Sequence, residues 1–281
     1  MPYTEGFIDL EKTRVFHRCW LSDTVSILIV GVHGFAEHSG RYTHVGEAFL
    51  KAGYSFCIHD LRGHGKTATS DEERGYVDSF DCFLHDLRSY IAYLVNRYRP
   101  RKVALLGHSM GGLIVLHYLA RVNENVDAAI TSGAAAIVSA NVFQLGFLKL
   151  MNALNPKLRI DLPIRAEYLS HDSNVVRSYT IDPLVVKKPT VRLILEIVRA
   201  SKEIWQYIDR IDKPIMLLHG GRDVIVPPRA SIEAYQRIKS RVKELKIYPD
   251  LYHEILNEPQ WGTVFCDIMN WLQSTLGELR Q

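Results

Sequence analysis

Short runs of apolar, often β-branched residues recur along the chain, and each has the length of one strand. The clearest is VSILIV at residues 25–30. A continuous apolar run of this kind is typical of a strand that is buried on both faces of a parallel sheet. Residues 7–21 lack an intervening helix and predict an antiparallel hairpin at one edge. Further strands are predicted at residues 54–58, 102–106, 128–131, 214–218 and 245–248.

Between most of these runs, apolar residues return every three or four positions. This spacing predicts amphipathic helices. The alternation of strand and helix predicts an α/β protein with a mostly parallel, doubly wound sheet. The predicted helices occupy residues 40–51, 80–98, 110–121, 229–241 and 258–276.

The alternation of strand and helix is interrupted once, by a long insertion. Residues 134–207 predict helices and loops without a strand. An insertion at the carboxyl edge of the sheet would cover the crevice where such folds bind ligands. We therefore predict an α/β core of residues 1–133 and 208–281, and a helical cap of residues 134–207. The prolines that punctuate the cap are Pro156, Pro163, Pro183 and Pro189.

Composition excludes several classes of protein. The chain has 281 residues and a formal net charge of +3 without a basic block, so we expect no nucleic-acid partner. Its four cysteines are widely spaced and form no C-x-x-C pair, which predicts free thiols and neither a disulfide nor a metal site. The first ten residues contain Glu5 and Asp9 and lack the pattern of a signal peptide, which predicts a cytoplasmic protein.

Residues 128–148 carry no charge, and such a stretch is long enough to span a bilayer. The polar side chains and glycines within it argue against a spanning helix. Its start predicts a buried strand, and the part after Gly133 predicts a loop and a new helix.

The first chemical signal is GHSMG at residues 107–111, which lies between a predicted strand and a predicted helix. In that context G-x-S-x-G lifts a serine hydroxyl above the sheet edge on a strained turn that small residues permit. The helix start also directs N–H groups and a positive dipole at the same place. Ser109 is therefore the predicted nucleophile, and a serine that merely caps the helix is the alternative.

A serine hydroxyl needs a base to remove its proton, and the base needs an acid to orient it. His253 lies in the loop before the last helix, at the sheet edge predicted for Ser109. Asp223 follows the strand at residues 214–218 and reaches the same edge. The order Ser109, Asp223, His253 is that of α/β-hydrolases. The rival carboxylate, Asp250, is so close to His253 in sequence that we expect it to cap the loop.

Two backbone N–H groups should hold the negative charge of the reacting carbonyl oxygen. We predict those of Met110, which follows the nucleophile, and of Phe35, in the loop after residues 25–30. DLRGHG at residues 60–65 is expected to be structural, with Asp60 paired to Arg62. A contact of His64 with the substrate site from below is the alternative.

Four motifs together resemble the monoacylglycerol lipase and lysophospholipase group of α/β-hydrolases. The likeness runs from about residue 25 to residue 271, and it implies hydrolysis of single-chain lipid esters through an acyl-serine, with no cofactor and no metal. It supports the triad and the two oxyanion donors, and implies that Tyr179 faces the polar head of the substrate. Phe35-Ala36 departs from the smaller residues common in the group, which leaves the shape of the acyl pocket open. The motifs are HGFAEHSGRY (33–42), DLRGHG (60–65), GHSMGG (107–112) and YTIDPL (179–184).

The predicted cap contains a helix, residues 142–154, that is apolar nearly all round. Such a helix is normally buried. We expect Phe143 and Phe147 to line an acyl site, while another face touches a membrane or micelle. Packing onto the main domain, or onto a second copy in a homodimer, is the alternative.

Other chemistries use the same fold. A short-chain carboxylesterase, a carbon–carbon bond hydrolase, a peptidase or a perhydrolase would need the same triad, because fold does not determine substrate. Dehalogenases and epoxide hydrolases are disfavoured, since they carry aspartate where Ser109 stands. A catalytically inactive binding protein is the alternative from a different class, against which the intact triad argues. The expected partner is thus a small-molecule ester or lipid.

Overall fold

The computed structural model describes residues 3–138, 141–162 and 165–277. Eight strands form one sheet in the order β1-β2-β4-β3-β5-β6-β7-β8. β1 and β2 form an antiparallel hairpin, β2 pairs antiparallel with β4, and every other pairing is parallel. The strands are β1 (Thr4–Asp9), β2 (Arg14–Trp20), β3 (Ile27–Val32), β4 (Ser55–His59), β5 (Lys102–His108), β6 (Ala128–Ser132), β7 (Ile215–Gly220) and β8 (Lys243–Tyr248).

This arrangement is the α/β-hydrolase fold, and it confirms the predicted fold class, strands and edge hairpin. β3, β4, β6 and β7 are buried at every position, as their continuous apolar runs predicted. β3 has β4 on one side and β5 on the other, so the chain reverses its winding direction between β3 and β5. Folds of this kind bind ligands at the carboxyl ends of the strands beside such a switch point.

Helices cover both faces of the sheet. α1 (Thr43–Lys51) and α8 (Trp261–Leu276) pack on one face. α2 (Asp81–Tyr98), α3 (Met110–Arg121) and α7 (Arg229–Arg237) pack on the other. Helices were predicted in all five places, although the segment at 40–51 divides into a 3₁₀ turn (Ser39–Tyr42) followed by α1.

Among the described residues, three α-helices lie between β6 and β7, namely α4 (Val142–Leu154), α5 (Ser173–Ile181) and α6 (Val191–Glu203). Short 3₁₀ turns lie there as well, at Ala166–Tyr168, Ile204–Gln206 and Ile208–Arg210. α6 contributes Leu193, Ile197 and Ala200 to the core shared with α2 and α3, whereas α4 packs against α6. Because α6 shares that core, the division into a core and a separate cap at residues 134 and 207 stays a prediction. Pro163 lies outside the described residues.

Residues 128–148 do not form one long helix. They begin as β6, as predicted, and end within α4. Among the described residues, no helix combines the length and the apolar character that crossing a bilayer requires.

Cys19 and Cys57 form a disulfide, so the prediction of free thiols is wrong for these two. Cys19 on β2 stands directly opposite Cys57 on β4, and their Cα atoms are 4.2 Å apart. Directly opposed residues in an antiparallel ladder come this close, whereas their separation of 38 positions in sequence gives no hint of it. Cys82 and Cys266 are free, as predicted.

Candidate active site

Ser109 occupies the sharp turn between β5 and α3. Its φ is 51° and its ψ is −115°, a backbone conformation that residues other than glycine adopt only under strain. The turn needs its glycines because the backbone is closely packed. A Cβ on Gly107 would lie 2.5 Å from the carbonyl oxygen of Gly111, and a Cβ on Gly111 would collide with the carbonyl oxygen of Val32. The turn therefore holds the serine at the carboxyl end of β5, beside the switch point.

The structure brings Ser109, His253 and Asp223 together. His253 Nε2 is 2.9 Å from Ser109 Oγ, and His253 Nδ1 is 2.6 Å from Asp223 Oδ2. Asp223 follows β7 and His253 follows β8, so the carboxyl ends of three strands supply the three side chains. All three are buried. Because the Asp223 carboxylate accepts a hydrogen bond from the Nδ1–H of His253, the lone pair on Nε2 faces the serine hydroxyl.

The ionised forms of Asp223 and His253 stabilise each other. Burial opposes ionisation of Asp223, but the neighbouring His253 and the hydrogen bonds from His219 and His253 hold the pKa of Asp223 below its usual range. Burial likewise disfavours the imidazolium form of His253, but the charge of Asp223 outweighs it and raises the pKa of His253. Backbone N–H groups of Ile225 and Val226 donate to Asp223 Oδ1 at 2.9 Å each and orient the carboxylate.

The rival carboxylate does not contact His253. Asp250 instead forms an exposed ion pair with Arg222 at 3.1 Å, so the expectation that it caps the loop is wrong. Its side chain points outward from the turn that precedes His253, while a carboxylate distant in sequence takes the place beside the imidazole.

A second imidazole lies beside the first. The ring of His108 is 4.7 Å from that of His253, centroid to centroid. Burial, reinforced by the proximity of His253, lowers the pKa of His108 to about 4. His108 is therefore neutral near pH 7, and its Nδ1 faces the carbonyl oxygen of Ser132 at 3.1 Å.

The loop after β3 passes directly against the nucleophile. A Cβ built on Gly34 would stand 3.2 Å from the Cβ of Ser109. The N–H of Gly34 donates to Glu37 Oε1 at 2.5 Å, which holds the loop in place. The N–H groups of Phe35 and Met110 donate to no acceptor in the part of the chain that the structure describes. Both amides are thus available to a negative charge that develops next to Ser109.

A buried ion network joins this loop to the loop that carries His253, called the histidine loop below. No motif in the sequence predicts this network. Arg41 donates to both carboxylate oxygens of Glu254, at 2.6 and 2.8 Å, and to Glu37 Oε2 at 3.2 Å. Although burial favours the neutral acid, Arg41 lowers the pKa of Glu254 to about 2. The only sequence signals were the i, i+4 spacing of Glu37 and Arg41 and the position of Glu254 directly after His253.

A second buried carboxylate anchors the histidine loop to the insertion. Glu258 Oε1 accepts the N–H of Tyr252 at 2.6 Å and faces His171 Nδ1 at 2.9 Å. The N–H of Glu254 donates to the carbonyl oxygen of Leu169 at 2.9 Å. Glu258 and Leu169 therefore fix the backbone on the two sides of His253, and His171 connects Glu258 to the insertion.

An apolar cavity of about 200 Å³ adjoins the loop after β3. Tyr179 lines it, with its ring under the guanidinium of Arg41 at 4.9 Å, and burial raises the pKa of this tyrosine to about 12. Tyr179 and Phe35 thus line the same cavity, and the contact of Tyr179 with a polar head group stays a prediction. The other lining residues are Leu162, Ala166, Thr180, Val185, Val186, Lys187 and Pro189.

A larger, polar cavity of about 680 Å³ lies between α5 and the start of α8. Arg41 lines it as well. His38 and Asp182, which also face it, are joined across the cavity wall by a contact of 2.9 Å between Nε2 and Oδ2. This contact ties the DPL segment of the insertion to the loop after β3.

His64 lines neither of these two cavities. It is fully buried, packs against the rings of His33 and Phe35, and faces the carbonyl oxygen of Arg62 through Nδ1 at 2.9 Å. The DLRGHG segment is structural as expected, but the predicted pair of Asp60 and Arg62 is wrong. Arg62 pairs with Asp86 at 2.7 Å, and Asp60 accepts backbone N–H groups of Ser39 and Lys66 at 2.7 Å each.

Phe143 and Phe147 line neither of the two cavities. They are 89% and 58% exposed, so α4 lacks the burial that is normal for an apolar helix, and the role of these two side chains in an acyl site stays a prediction. α4 buries Leu148, Leu145 and Met151 are half-buried, and Leu150 and Leu154 are exposed like the two phenylalanines. Helix periodicity could not reveal this, because it gives no information on how much of a helix its neighbours cover.

In the described ranges, no three His, Cys, Asp or Glu side chains are arranged to hold a metal ion.

The sequence profile of the family described as serine aminopeptidase, S33, matches residues 24–260. The chain belongs to this family. A monoacylglycerol lipase of Mycolicibacterium smegmatis is 31% identical over 96% of this chain and 97% of its own. The crystal structure of a monoacylglycerol lipase of Paleococcus ferrophilus matches this hydrolase with a TM-score of 0.82 and 28% identity, over 93% of this chain and 99% of its own.

A soluble variant of the Saccharomyces cerevisiae monoglyceride lipase, solved with a substrate analogue, has a TM-score of 0.88. It is 23% identical and covers 98% of this chain and 96% of its own. At that identity the likeness shows the shared α/β-hydrolase fold. The S33 hydrolase described here therefore aligns with its relatives along nearly the whole chain.

Proposed function

We propose that the protein hydrolyses monoacylglycerols and similar single-chain lipid esters through an acyl-serine intermediate. The observation that carries this proposal is the Ser109–His253–Asp223 arrangement at the carboxyl edge of the sheet, together with an apolar cavity that Phe35 lines. The lipase relatives support the same substrate class.

In the first half of the reaction, His253 Nε2 accepts the proton of the Ser109 hydroxyl as Oγ attacks the ester carbonyl carbon. Asp223 keeps the Nδ1 proton in place and stabilises the imidazolium that forms. The N–H groups of Phe35 and Met110 donate to the oxyanion. When the tetrahedral species collapses, the alcohol leaves with the proton from His253, and Ser109 carries the acyl group.

In the second half, a water molecule replaces the alcohol. His253 takes one proton from the water, whose oxygen attacks the acyl carbon, and the same two N–H groups hold the second oxyanion. Collapse releases the fatty acid, and the proton on His253 returns to Ser109. The cycle consumes one water and regenerates the enzyme, with no cofactor needed to balance it.

The substrate class follows from what surrounds the reacting atoms. Phe35 both supplies a proposed oxyanion donor and lines the apolar cavity, so we place the acyl chain of the substrate in that cavity. Burial of a methylene group in such a site contributes about 0.8 kcal/mol. An aliphatic chain gains from this cavity, whereas a sugar or a peptide would lose solvation of its polar groups there.

The family description raises an aminopeptidase as the alternative. An aminopeptidase must bind the ammonium group of its substrate, and for that it needs a free carboxylate near the nucleophile. Each of the two loops beside Ser109 carries a buried glutamate, Glu37 or Glu254, and both are bonded to Arg41. This arrangement favours an ester with an apolar acyl group.

We further propose that α4 rests on a lipid surface. Its outward side chains Phe143, Phe147, Leu150 and Leu154 are large and apolar, and the helix carries Lys149 but no acidic residue. An exposed apolar helix with basic and no acidic charge fits an interface that contains anionic lipid. A second copy of the chain, which would carry the same positive charge, fits this face less well. The alternative, a homodimer that packs through α4, would appear as loss of the dimer when the exposed phenylalanines are replaced.

The experiment that tests the proposed activity compares three substrates at one enzyme concentration. These are a monoacylglycerol, a lysophospholipid and an aminoacyl p-nitroanilide, each measured with the wild type and with Ser109→Ala. We expect fatty-acid release from the monoacylglycerol that the variant lacks. Cleavage of the anilide alone would replace the lipase proposal with a peptidase.

A further inference from the structure

A second serine–histidine pair contacts Asp223. His219 lies near the end of β7, and Ser231 lies in the first turn of α7. His219 Nδ1 is 2.7 Å from Ser231 Oγ, and His219 Nε2 is 3.1 Å from Asp223 Oδ2 and 3.0 Å from the carbonyl oxygen of Val226. Both members of the pair are buried. No motif in the sequence indicates a role for either of them.

The partners of His219 determine which of its nitrogens carries the proton. The carbonyl oxygen of Val226 and the carboxylate of Asp223 can only accept hydrogen bonds, so the proton must be on Nε2. Nδ1 is then an acceptor, and the hydroxyl of Ser231 donates to it. Ser231 thus stabilises the tautomer in which His219 donates toward the triad carboxylate.

Each oxygen of Asp223 has two N–H groups within reach. Oδ1 accepts from the amides of Ile225 and Val226, and Oδ2 faces His253 Nδ1 and His219 Nε2. Because the His219 proton is shared with the carbonyl oxygen of Val226, His219 also fixes the turn that supplies the two amides.

We propose that His219, held in one tautomer by Ser231, is a positioning residue that orients Asp223 toward His253. The proposal rests on the proposed function, because it assigns His219 a part in that acid–base system. A second N–H on Oδ2 withdraws negative charge from the atom that faces His253, so His219 also lowers the affinity of His253 for a proton.

His219→Leu removes the donor and keeps an apolar group of similar size. We expect kcat to fall about tenfold, since a hydrogen bond to a charged acceptor is lost. KM should change less than about twofold, because His219 touches no substrate. The acid limb of the pH profile should move to higher pH, since Asp223 then stabilises the imidazolium more strongly. His219→Gln, whose amide N–H can donate from a similar place, should recover most of kcat.

A matched control comes from another fully buried histidine. His117 on α3 faces the carbonyl oxygen of Ala200 at 3.0 Å and contacts none of the triad residues. His117→Leu should lower stability about as much as His219→Leu does, while kcat and the acid limb stay at their wild-type values. Urea unfolding of both variants measures the stability part separately.

All rates are measured on a short, water-soluble ester, so the result does not depend on the lipid assignment. A low-field proton resonance of His253 Nδ1–H provides a readout that needs no substrate, and it should shift in His219→Leu but not in His117→Leu. If the wild type cleaves no ester, the proposed function fails, while this resonance still tests the contact of His219 with Asp223.

The proposal would be overturned if His219→Leu kept the kcat and the acid limb of the wild type. It would also be overturned if His117→Leu changed kcat and the acid limb as much as His219→Leu does, or if His219→Gln did not recover kcat. If His219→Leu does not fold, Ser231→Ala and His219→Gln replace it, because both leave the core filled. Ser231→Ala should then lower kcat several-fold and broaden the Nδ1–H resonance. A Ser231→Ala enzyme with wild-type kcat and an unchanged resonance contradicts the proposal.

Discussion

Arg41 donates two hydrogen bonds to Glu254, the residue that directly follows His253. The same guanidinium contacts Glu37, whose carboxylate holds the N–H of Gly34 in the loop beside Ser109. One buried cation therefore connects the loop that supplies a proposed oxyanion donor with the loop that supplies the proposed base. The two loops come from distant parts of the chain, and Arg41 fixes the distance between them.

Replacing Arg41 by methionine should destabilise the protein by about 3–5 kcal/mol, because two carboxylates would remain buried without their partner. Activity should fall as well, since both loops lose a common anchor. Urea unfolding measures the first effect. Arg229→Met is the matched control: Arg229 and Glu233 are paired at 2.9 Å but are 70% and 41% exposed, so its loss should cost less than about 1 kcal/mol. Equal stability of the two variants would contradict a structural role of the buried network.

The pH dependence of kcat/KM should report the protonation of His253. Its imidazole must be neutral to accept the serine proton, and its pKa lies above the usual 6.5, so activity should fall as pH drops through a value above 6.5. His108, with a pKa of about 4, stays neutral in this range and should not contribute. Measurements on a soluble ester from about pH 5 to 9 locate this limb. An acid limb near pH 4 would show that a different group is the base.

Asp223→Asn should remove the charge that raises the pKa of His253. In a triad of this type the corresponding change lowers kcat by about 10⁴. Asp250→Asn, which affects the rival carboxylate in its exposed pair with Arg222, should leave kcat unchanged. The reverse order of effects would assign the acid to Asp250.

The disulfide between Cys19 and Cys57 closes a loop with a sequence separation of 38, and a cross-link of that span contributes roughly 4 kcal/mol to stability. A Cys19→Ala/Cys57→Ala protein should therefore unfold at lower urea, whereas Cys82→Ala should behave like the wild type. Thiol titration of the denatured, unreduced protein should find two free thiols. If protein taken from its own cells has four free thiols, the disulfide is not formed there, which would support the predicted reducing compartment.

If α4 touches lipid, Phe143→Ser/Phe147→Ser should bind vesicles that contain anionic phospholipid more weakly than the wild type does. Its turnover of a short soluble ester should not change, because neither side chain lines either of the two cavities described above. Val242→Ser alters an apolar side chain that is 47% exposed on a different part of the surface, and should not affect vesicle binding. Unchanged vesicle binding, with loss of a dimer in sedimentation, would make α4 a contact between two copies.

The sequence predicts those parts of the fold that depend on local patterns of residues. Continuous apolar runs predict the buried strands, and the turn at Ser109 is predicted because G-x-S-x-G stands between a strand and a helix. Strand ends meet at one edge of a parallel sheet, so Asp223 and His253 could be predicted to join Ser109 across long separations.

Contacts that depend on which strands or loops become neighbours could not be predicted in this way. Cys19 meets Cys57 only because β2 pairs with β4, and Arg41 meets Glu254 across 213 positions. The exposure of α4 depends on how little of it α6 covers. The tautomer of His219 likewise follows from Ser231 and Val226, whose contacts with it exist only in the folded chain.

The most direct test of the proposed activity is kcat/KM for a series of monoacylglycerols of increasing chain length, with Ser109→Ala as the control. The account predicts a rise of roughly fourfold for each added methylene, corresponding to about 0.8 kcal/mol, until the apolar cavity is filled. Ser109→Ala should release no fatty acid from any member of the series. A rate that does not depend on chain length, or fatty-acid release by Ser109→Ala, would contradict it.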